Sequence, residues 1–228
     1  MLKEGLRENF FNLLDSYPNA TKLLENISKE GEILLFGGAV RAYYENRFQT
    51  LPRDFDLVIK PNKNSRDLES YFSNFEYRKN RYDGYKVFVD GLEFDIWTLE
   101  NTWAFKEKKV RALEENLSET VFLNVDSIVY NINKDILYDE KFRESMDSKV
   151  LDVVLQDNPF TELNLLRALI FKKKYRMKFS DRLKEHFREF SRRNDCFNVD
   201  LFNLQYSHYG EVRLSQDQID EEVYNLRA

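Results

Sequence analysis

The chain has 228 residues, 42% apolar and 15% aromatic, which is enough to bury a core and too apolar for disorder. A single cysteine, Cys196, excludes an intramolecular disulfide framework and a multi-cysteine zinc site, and two histidines (His186 and His208) argue against a histidine-based metal site. The net charge of −5 opposes nucleic-acid binding over the whole surface; charges within the first apolar stretch, and no apolar run near ~20 residues, point to a reducing cytoplasm without a secretory signal or membrane span.

Helical spacing is expected over residues 6–15 and 20–30, with Pro18 between them. Glu32 to Phe36 reads as a short buried strand, Gly37-Gly38 as a turn, and Ala39 to Asn46 as a helix. Asp54 to Lys60 alternates as a strand that stops at Pro61, and Arg66 to Phe75 is expected to be helical. Tyr85 to Val89 and Leu92 to Leu99 form the clearest hairpin, because Asp90-Gly91 supplies the positive φ values of a tight turn. Thr102 is placed to cap a helix through about Glu115, and Ser127–Ile132 with Ile136–Tyr138 reads as a second hairpin. After residue 155 helical spacing takes over: Glu162 to Tyr175, a helix capped by Ser180, and a last one capped by Ser215.

Charge is unevenly spread along the chain. Arg167 to Arg193 holds eleven Lys or Arg against three acids, a net of +8, which leaves −13 for the remainder. An acidic head and a basic arm are implied, the arm centred on Lys172, Lys173, Lys174 and Arg176. These residues read either as a track for an RNA backbone or as a solvated helix face.

The chemistry-bearing stretch is LLFGGAVRAYYENRFQTLPRDFDLVI, residues 34–59. A helix starting near Ala39 would offer backbone N–H groups and a positive dipole end, with Gly37 and Gly38 letting a phosphate chain approach. Arg41 falls in the first turn, where its guanidinium can fork onto phosphate oxygens. On the next strand Asp54 and Asp56 share one face, because side chains alternate with period two, while Phe55 and Leu57 take the other. Adjacent carboxylates repel unless cations hold them, and magnesium with phosphate oxygens is the usual solution. Asp95 on the hairpin strand is the candidate third acid, and two divalent ions could bridge all three carboxylates. Arg53 reads as a phosphate contact or as a partner for a carboxylate. Trp97, on the face of Asp95, and nearby Trp103 read as core packing or as base-stacking platforms.

Gly37-Gly38-x-Val40-Arg41 followed by Asp54-x-Asp56-Leu57 resembles the nucleotidyltransferase head of the DNA polymerase β superfamily, and within it the head of bacterial poly(A) polymerases and tRNA CCA-adding enzymes. The resemblance spans roughly residues 30–180. It continues in TVFLNVDSIVYNINKDILYD, where Thr120 and Val121 stand in place of two family arginines and Asp126 in place of an asparagine. In the first neck-like helix Arg167 matches the first family arginine and Ile170 replaces the second; no copy of the base-reading Glu-Asp-x-x-Arg motif is found.

The resemblance implies an α+β fold, with a mixed sheet flanked by helices in a head over residues 1–155 and a basic, all-α neck-like region over 156–228. It implies transfer of a nucleoside monophosphate from an NTP, ATP or CTP, onto an acceptor hydroxyl with release of pyrophosphate. Asp54, Asp56 and Asp95 would hold two Mg²⁺ ions, Gly37, Gly38 and Arg41 would seat the triphosphate, and Arg167 would support nucleotide or acceptor phosphates. The acceptor stays open: an RNA or tRNA end, or a protein or small molecule. A non-catalytic nucleotide-binding module is the third class.

Overall fold

The computed structural model describes residues 3–62 and 67–227. They fall into two compact units, one within Met1–Thr120 and Asp126–Glu140, the other within Val121–Val125 and Lys141–Ala228.

The first unit opens with two amphipathic helices, α1 (Leu6–Leu14) and α2 (Pro18–Glu30). Leu6, Phe10 and Leu14 of α1 and Leu23, Leu24 and Ile27 of α2 are buried, a spacing of three and four residues that puts them on one stripe of each helix. Pro18 does not separate the helices but starts α2, a position where its missing N–H costs nothing. Tyr17 offers this helix no side-chain cap. Asp90 supplies one from 70 residues away, its carboxylate accepting from the Asn19 and Ala20 amides at 2.8 and 3.1 Å.

Then follow β1 (Gly31–Phe36), α3 (Gly38–Asn46), β2 (Phe55–Pro61), β3 (Glu76–Lys79), β4 (Tyr85–Val89), β5 (Leu92–Thr98), α4 (Trp103–Lys106), β6 (Val129–Asn131) and β7 (Ile136–Tyr138). Among the described residues the seven strands form one mixed sheet, ordered β3-β4-β5-β2-β1-β6-β7. Within this sheet, among the described residues, only the β2–β5 ladder is parallel. One sheet face buries Ile33, Leu35, Phe55, Leu57, Ile59, Phe94 and Ile96, with the Phe10 ring of α1 edge-on to Phe55 at 6.0 Å and Phe55 stacked on Phe94 at 5.3 Å. On the other face Leu34, Val58 and Val129 pack with Leu99, Phe105 and Leu117. Each of these buried side chains contributes about 1.5–3 kcal/mol by leaving water.

The connections differ from the sequence expectation in several places. The helix expected from Thr102 to Glu115 is the four-residue α4, followed by a loop and a 3₁₀ turn at Glu114–Glu119. Lys108 takes a positive φ of 53°, and the Lys106–Lys109 run has no apolar stripe that would keep a helix against the sheet. Arg66 lies outside the described residues, and the rest of the expected 66–75 helix is a 3₁₀ turn at Leu68–Tyr71. Strand β3, with exposed charged residues at a sheet edge, carries no apolar alternation to announce it. Pro61 ends β2 from inside the strand. The Asp90–Gly91 hairpin is as expected, with φ of 53° and 80° at its two turn residues.

The second unit contains most of α5 (Glu140–Ser148), then β8 (Val150–Leu151), α6 (Thr161–Tyr175), β9 (Lys178–Phe179), α7 (Asp181–Arg193), α8 (Phe197–Tyr209) and α9 (Gln216–Arg227). Helices α5 and α8 are additions to the sequence reading; α8 has polar and apolar residues mixed around it and so lacks a periodic signal. Ser180 caps α7 as expected, accepting from the Leu183 amide at 3.1 Å. The pair β8–β9 interrupts the all-α region. Asn124 exchanges hydrogen bonds with Asp152, and Leu123 bridges Val153, so residues 121–125 and 150–153 hold together. The change of sequence texture after residue 155 therefore falls inside this unit. Among the described residues no helix is long and apolar enough to cross a membrane.

At the end of the first unit's sheet where β1 starts and β2 finishes, Glu114 is buried within a polar network. Its carboxylate accepts from Lys60 Nζ at 2.7 Å, Asn131 Nδ2 at 2.7 Å and the Tyr138 hydroxyl at 3.0 Å. Asn131 also donates to Glu32 at 2.8 Å, and Lys134 pairs with Glu32 at 2.7 Å. Burial alone would raise the Glu114 pKa, but these donors outweigh it and hold it at about 2, below the ordinary 4.5. A depressed carboxylate pKa adds stability that is fully present above the unfolded value and lost as pH falls through the folded one. Glu114→Gln should therefore cost about 3 kcal/mol at neutral pH, with the gap to wild type closing between pH ~4.5 and ~2. Urea unfolding across that range checks it, and a gap independent of pH would contradict it.

Candidate active site

The site forms where β1 ends and β2 and β5 begin. Strand β1 runs antiparallel to β2 with Phe36 opposite Asp56, so the turn after Phe36 lies at the end of the sheet where β2 starts. Gly37 turns the chain with φ 58° and ψ −112°, a conformation that side-chain-bearing residues rarely adopt. Its amide donates to the Ile128 carbonyl at 2.9 Å, and its carbonyl accepts from the Arg41 amide at 3.0 Å, starting α3. No side chain caps this helix, so its first turn presents backbone donors and the positive dipole end.

Asp54 precedes β2 by one residue and Asp56 lies on it. Parallel pairing sets Asp56 opposite Asp95 and Phe55 opposite Phe94. The apolar pair faces the helices and the acidic pair the opposite side. The carboxylate oxygens of Asp54, Glu93 and Asp95 lie within 4.8 Å of one another. Asp56 is Asp95's neighbour across the ladder but is not one of these three.

Arg53 and Lys86 both reach this cluster. Arg53 puts Nη2 and Nε on Asp54 Oδ2 at 2.6 and 3.1 Å, so it pairs with a carboxylate. Lys86, opposite Asp95 on the antiparallel β4–β5 ladder, bonds Asp95 Oδ2 at 2.9 Å and also Glu93. Burial pushes the Asp95 carboxyl up; Lys86 pulls it down, and the charges of Asp54 and Glu93 add to the rise. Burial works against the Lys86 ammonium, yet its bonds to Glu93 and Asp95 outweigh this and hold its pKa above the ordinary value.

Glu93 and Lys86 are absent from the sequence expectation, though a signal for both existed. Glu93 stands two residues before Asp95, hence on the same face. A two-residue turn at Asp90–Gly91 pairs Val89 with Leu92, and counting outward brings Lys86 opposite Asp95.

The remaining expected residues lie as follows. Arg41 forms an ion pair with Asp126, itself nearly buried, and lies 4.0 Å from Glu45. Trp97 packs edge-on to Phe36 at 6.2 Å and donates its indole N–H to Thr102 at 3.0 Å, the arrangement of a core residue. Arg167 is on α6 in the second unit, its guanidinium 5.6 Å from the Phe171 ring centre. Lys172 pairs with Glu222 and Lys173 bonds Gln218 at 3.1 Å, both on α9. Lys174 lies over the Tyr175 ring at 5.3 Å, and Arg176 ends α6 in a left-handed conformation.

In fold, this mixed sheet, with a Gly-Gly turn opening a helix beside strand carboxylates, is of the nucleotidyltransferase kind. No family model and no curated protein matches the chain. Among solved structures, the chain is similar over 94% of its length to a CCA-adding enzyme in complex with ATP, with TM-score 0.64, 17% identity and 54% of that chain covered. It is similar over 86% of its length to the Thermotoga maritima CCA-adding enzyme complexed with tRNA, with TM-score 0.59, 17% identity and 46% of that chain covered. A tRNA nucleotidyltransferase complexed with a primer tRNA and an incoming ATP analogue matches over 86% of this chain and 57% of its own, with TM-score 0.59 and 16% identity. At these identities the likeness is one of fold, and the chain spans about half the length of the structures it matches.

Gly37 allows a direct check on the turn. A Cβ there would meet nothing within 4 Å, so any cost of a side chain comes from the backbone alone. Gly37→Ala should lower stability by roughly 1–3 kcal/mol in chemical denaturation. A neutral result would show that the turn relaxes to another conformation.

Proposed function

We propose that the protein is a magnesium-dependent nucleotidyltransferase that moves a nucleoside monophosphate from an NTP, ATP or CTP, onto an acceptor hydroxyl. The observation that carries this reading is the register of the parallel β2–β5 ladder, which sets Asp56 against Asp95 beside the Gly37–Gly38 turn. The acids gathered there, Asp54, Glu93 and Asp95 in one cluster and Asp56 across the ladder from Asp95, offer only carboxylate oxygen, the choice of a hard divalent cation rather than zinc or copper. Asp54, Asp56 and Asp95 would hold it, as one ion or two.

Bound magnesium would neutralise charge on the phosphates and on the attacking and leaving oxygens. The chain's own groups do the remainder. Backbone N–H groups at the start of α3 receive the triphosphate, and the missing Cβ atoms of Gly37 and Gly38 leave it room. Arg41, ordered by Asp126, stands in the first turn of the same helix to pair with phosphate oxygens. Asp95 would help remove the proton of the acceptor hydroxyl. The acceptor oxygen bonds to the α-phosphorus, the bond to the bridging oxygen breaks, and pyrophosphate leaves.

An RNA end, such as that of a tRNA, is the favoured acceptor. Its support is the +8 segment around Lys172, Lys173, Lys174, Arg176 and Arg167, together with the tRNA present in two of the similar structures. Binding through these residues would weaken steeply with salt. The engagement of Lys172 by Glu222 and of Lys173 by Gln218 favours the second reading, a protein or small-molecule acceptor.

Incubation with each labelled NTP, magnesium and fractionated cell extract should place label in RNA, and in protein or small molecules on the second reading. Asp54→Ala or Asp56→Ala should cut the rate about a thousandfold, equivalent to ~4 kcal/mol of transition-state stabilisation. Nucleotide binding without label in any fraction would leave a non-catalytic module as the answer.

A further inference from the structure

The acidic cluster carries a cation of its own. Lys86 comes from the neighbouring strand, about one-third exposed, and places its ammonium on Asp95 Oδ2 at 2.9 Å while also bonding Glu93. Those two carboxylates and Asp54 lie within 4.8 Å of one another, so a divalent ion entering there meets oxygens that already have a positive partner. The arrangement is built in: the Asp90–Gly91 turn fixes the hairpin register, and that register fixes Lys86 opposite Asp95. Arg53, by contrast, is more than half exposed and holds Asp54 from an adjacent position in the chain.

We infer that Lys86 is a positioning residue that competes with the divalent cation for Asp95, with Glu93 as its second anchor rather than as a metal ligand. The inference rests on the metal reading proposed above. Before the cation arrives, the ammonium stops the clustered carboxylates from repelling one another. When the cation arrives, Asp95 turns from Lys86 to it, and Glu93 keeps the ammonium tethered. The pair thus sets how much free cation is needed to load the site. A lysine suits this task because its charge sits on a long flexible stem and can withdraw without disturbing the strand.

The test measures cation binding and needs no turnover. Mn²⁺ is titrated into the full chain and free ion is read by electron paramagnetic resonance, with the ion-induced rise in Tm recorded in parallel. Lys86→Met should bind Mn²⁺ about tenfold or more tightly, because a unit positive charge within a few ångströms of the ion is removed. It should be less stable than wild type without the ion and show the larger rise in Tm with it. Lys86→Arg, which keeps the charge, should bind nearly as wild type does. Lys86→Gln serves the same purpose as Lys86→Met should the latter fold poorly. Unchanged or weaker binding in both neutral variants, while Asp54→Ala abolishes binding, would overturn the inference and leave the metal site standing. If Asp54→Ala binds Mn²⁺ as wild type does, the inference and the metal reading fall together.

Discussion

The parallel pairing of β2 with β5 is the constraint on which the first unit depends. Strands that run the same way bring their starts to the same end of a sheet, and their side chains alternate in step. With Asp56 opposite Asp95, that rhythm sets Asp54 and Glu93 on the same face, and Phe55, Leu57, Phe94 and Ile96 on the other. The apolar half of each strand anchors the acidic half. A slip of one residue in either strand would bury carboxylates and expose phenylalanines, so core packing itself specifies the site's register. Strand β1, antiparallel to β2, then delivers Gly37 to the same end.

Gathering carboxylates is costly, and the two ends of β2 meet the cost differently. At the Pro61 end Glu114 is buried with Lys60, Asn131 and Tyr138 all donating to it, a closed network that locks the loop after α4 to the sheet. At the Phe55 end the acids are only partly buried, and their cations, Lys86 and Arg53, come from partly exposed positions. A buried charge with every partner in place specifies structure. A cluster whose counter-charges come from partly exposed positions can rearrange them, as the proposed entry of a cation and a phosphate chain would require.

Much of this was legible because the decisive signals are short and local. Asp90–Gly91 announced a tight hairpin, and such a turn leaves no freedom in register. Gly37-Gly38 and the Asp54-x-Asp56 alternation could be placed on a turn and a strand from their residue types alone. Expectation failed where a segment takes its shape from what it packs against. The stretch after Thr102 has helix-forming residues but no apolar stripe, so it covers the sheet with Phe105, Val110 and Leu117 from a broken path instead. Strand β3 is polar and exists because β4 offers it an edge. Helix α8, with polar and apolar residues mixed around it, has no period to read.

The sequence by itself determined the kind of site: carboxylates on alternate strand positions, a glycine turn before a helix, an arginine in that helix's first turn, and a basic segment further along. Each follows from backbone geometry within a few residues, which a short stretch of chain specifies alone. Only the tertiary structure decided which acids meet. It drew Glu93 into the cluster, set Asp56 beside Asp95 across a parallel ladder, tied Arg41 to Asp126, and brought Lys86 onto Asp95. The β2–β5 pairing joins strands separated by more than thirty residues, and its register is chosen by the packing of Phe55 on Phe94 across the opposite face, a contact that no local pattern encodes.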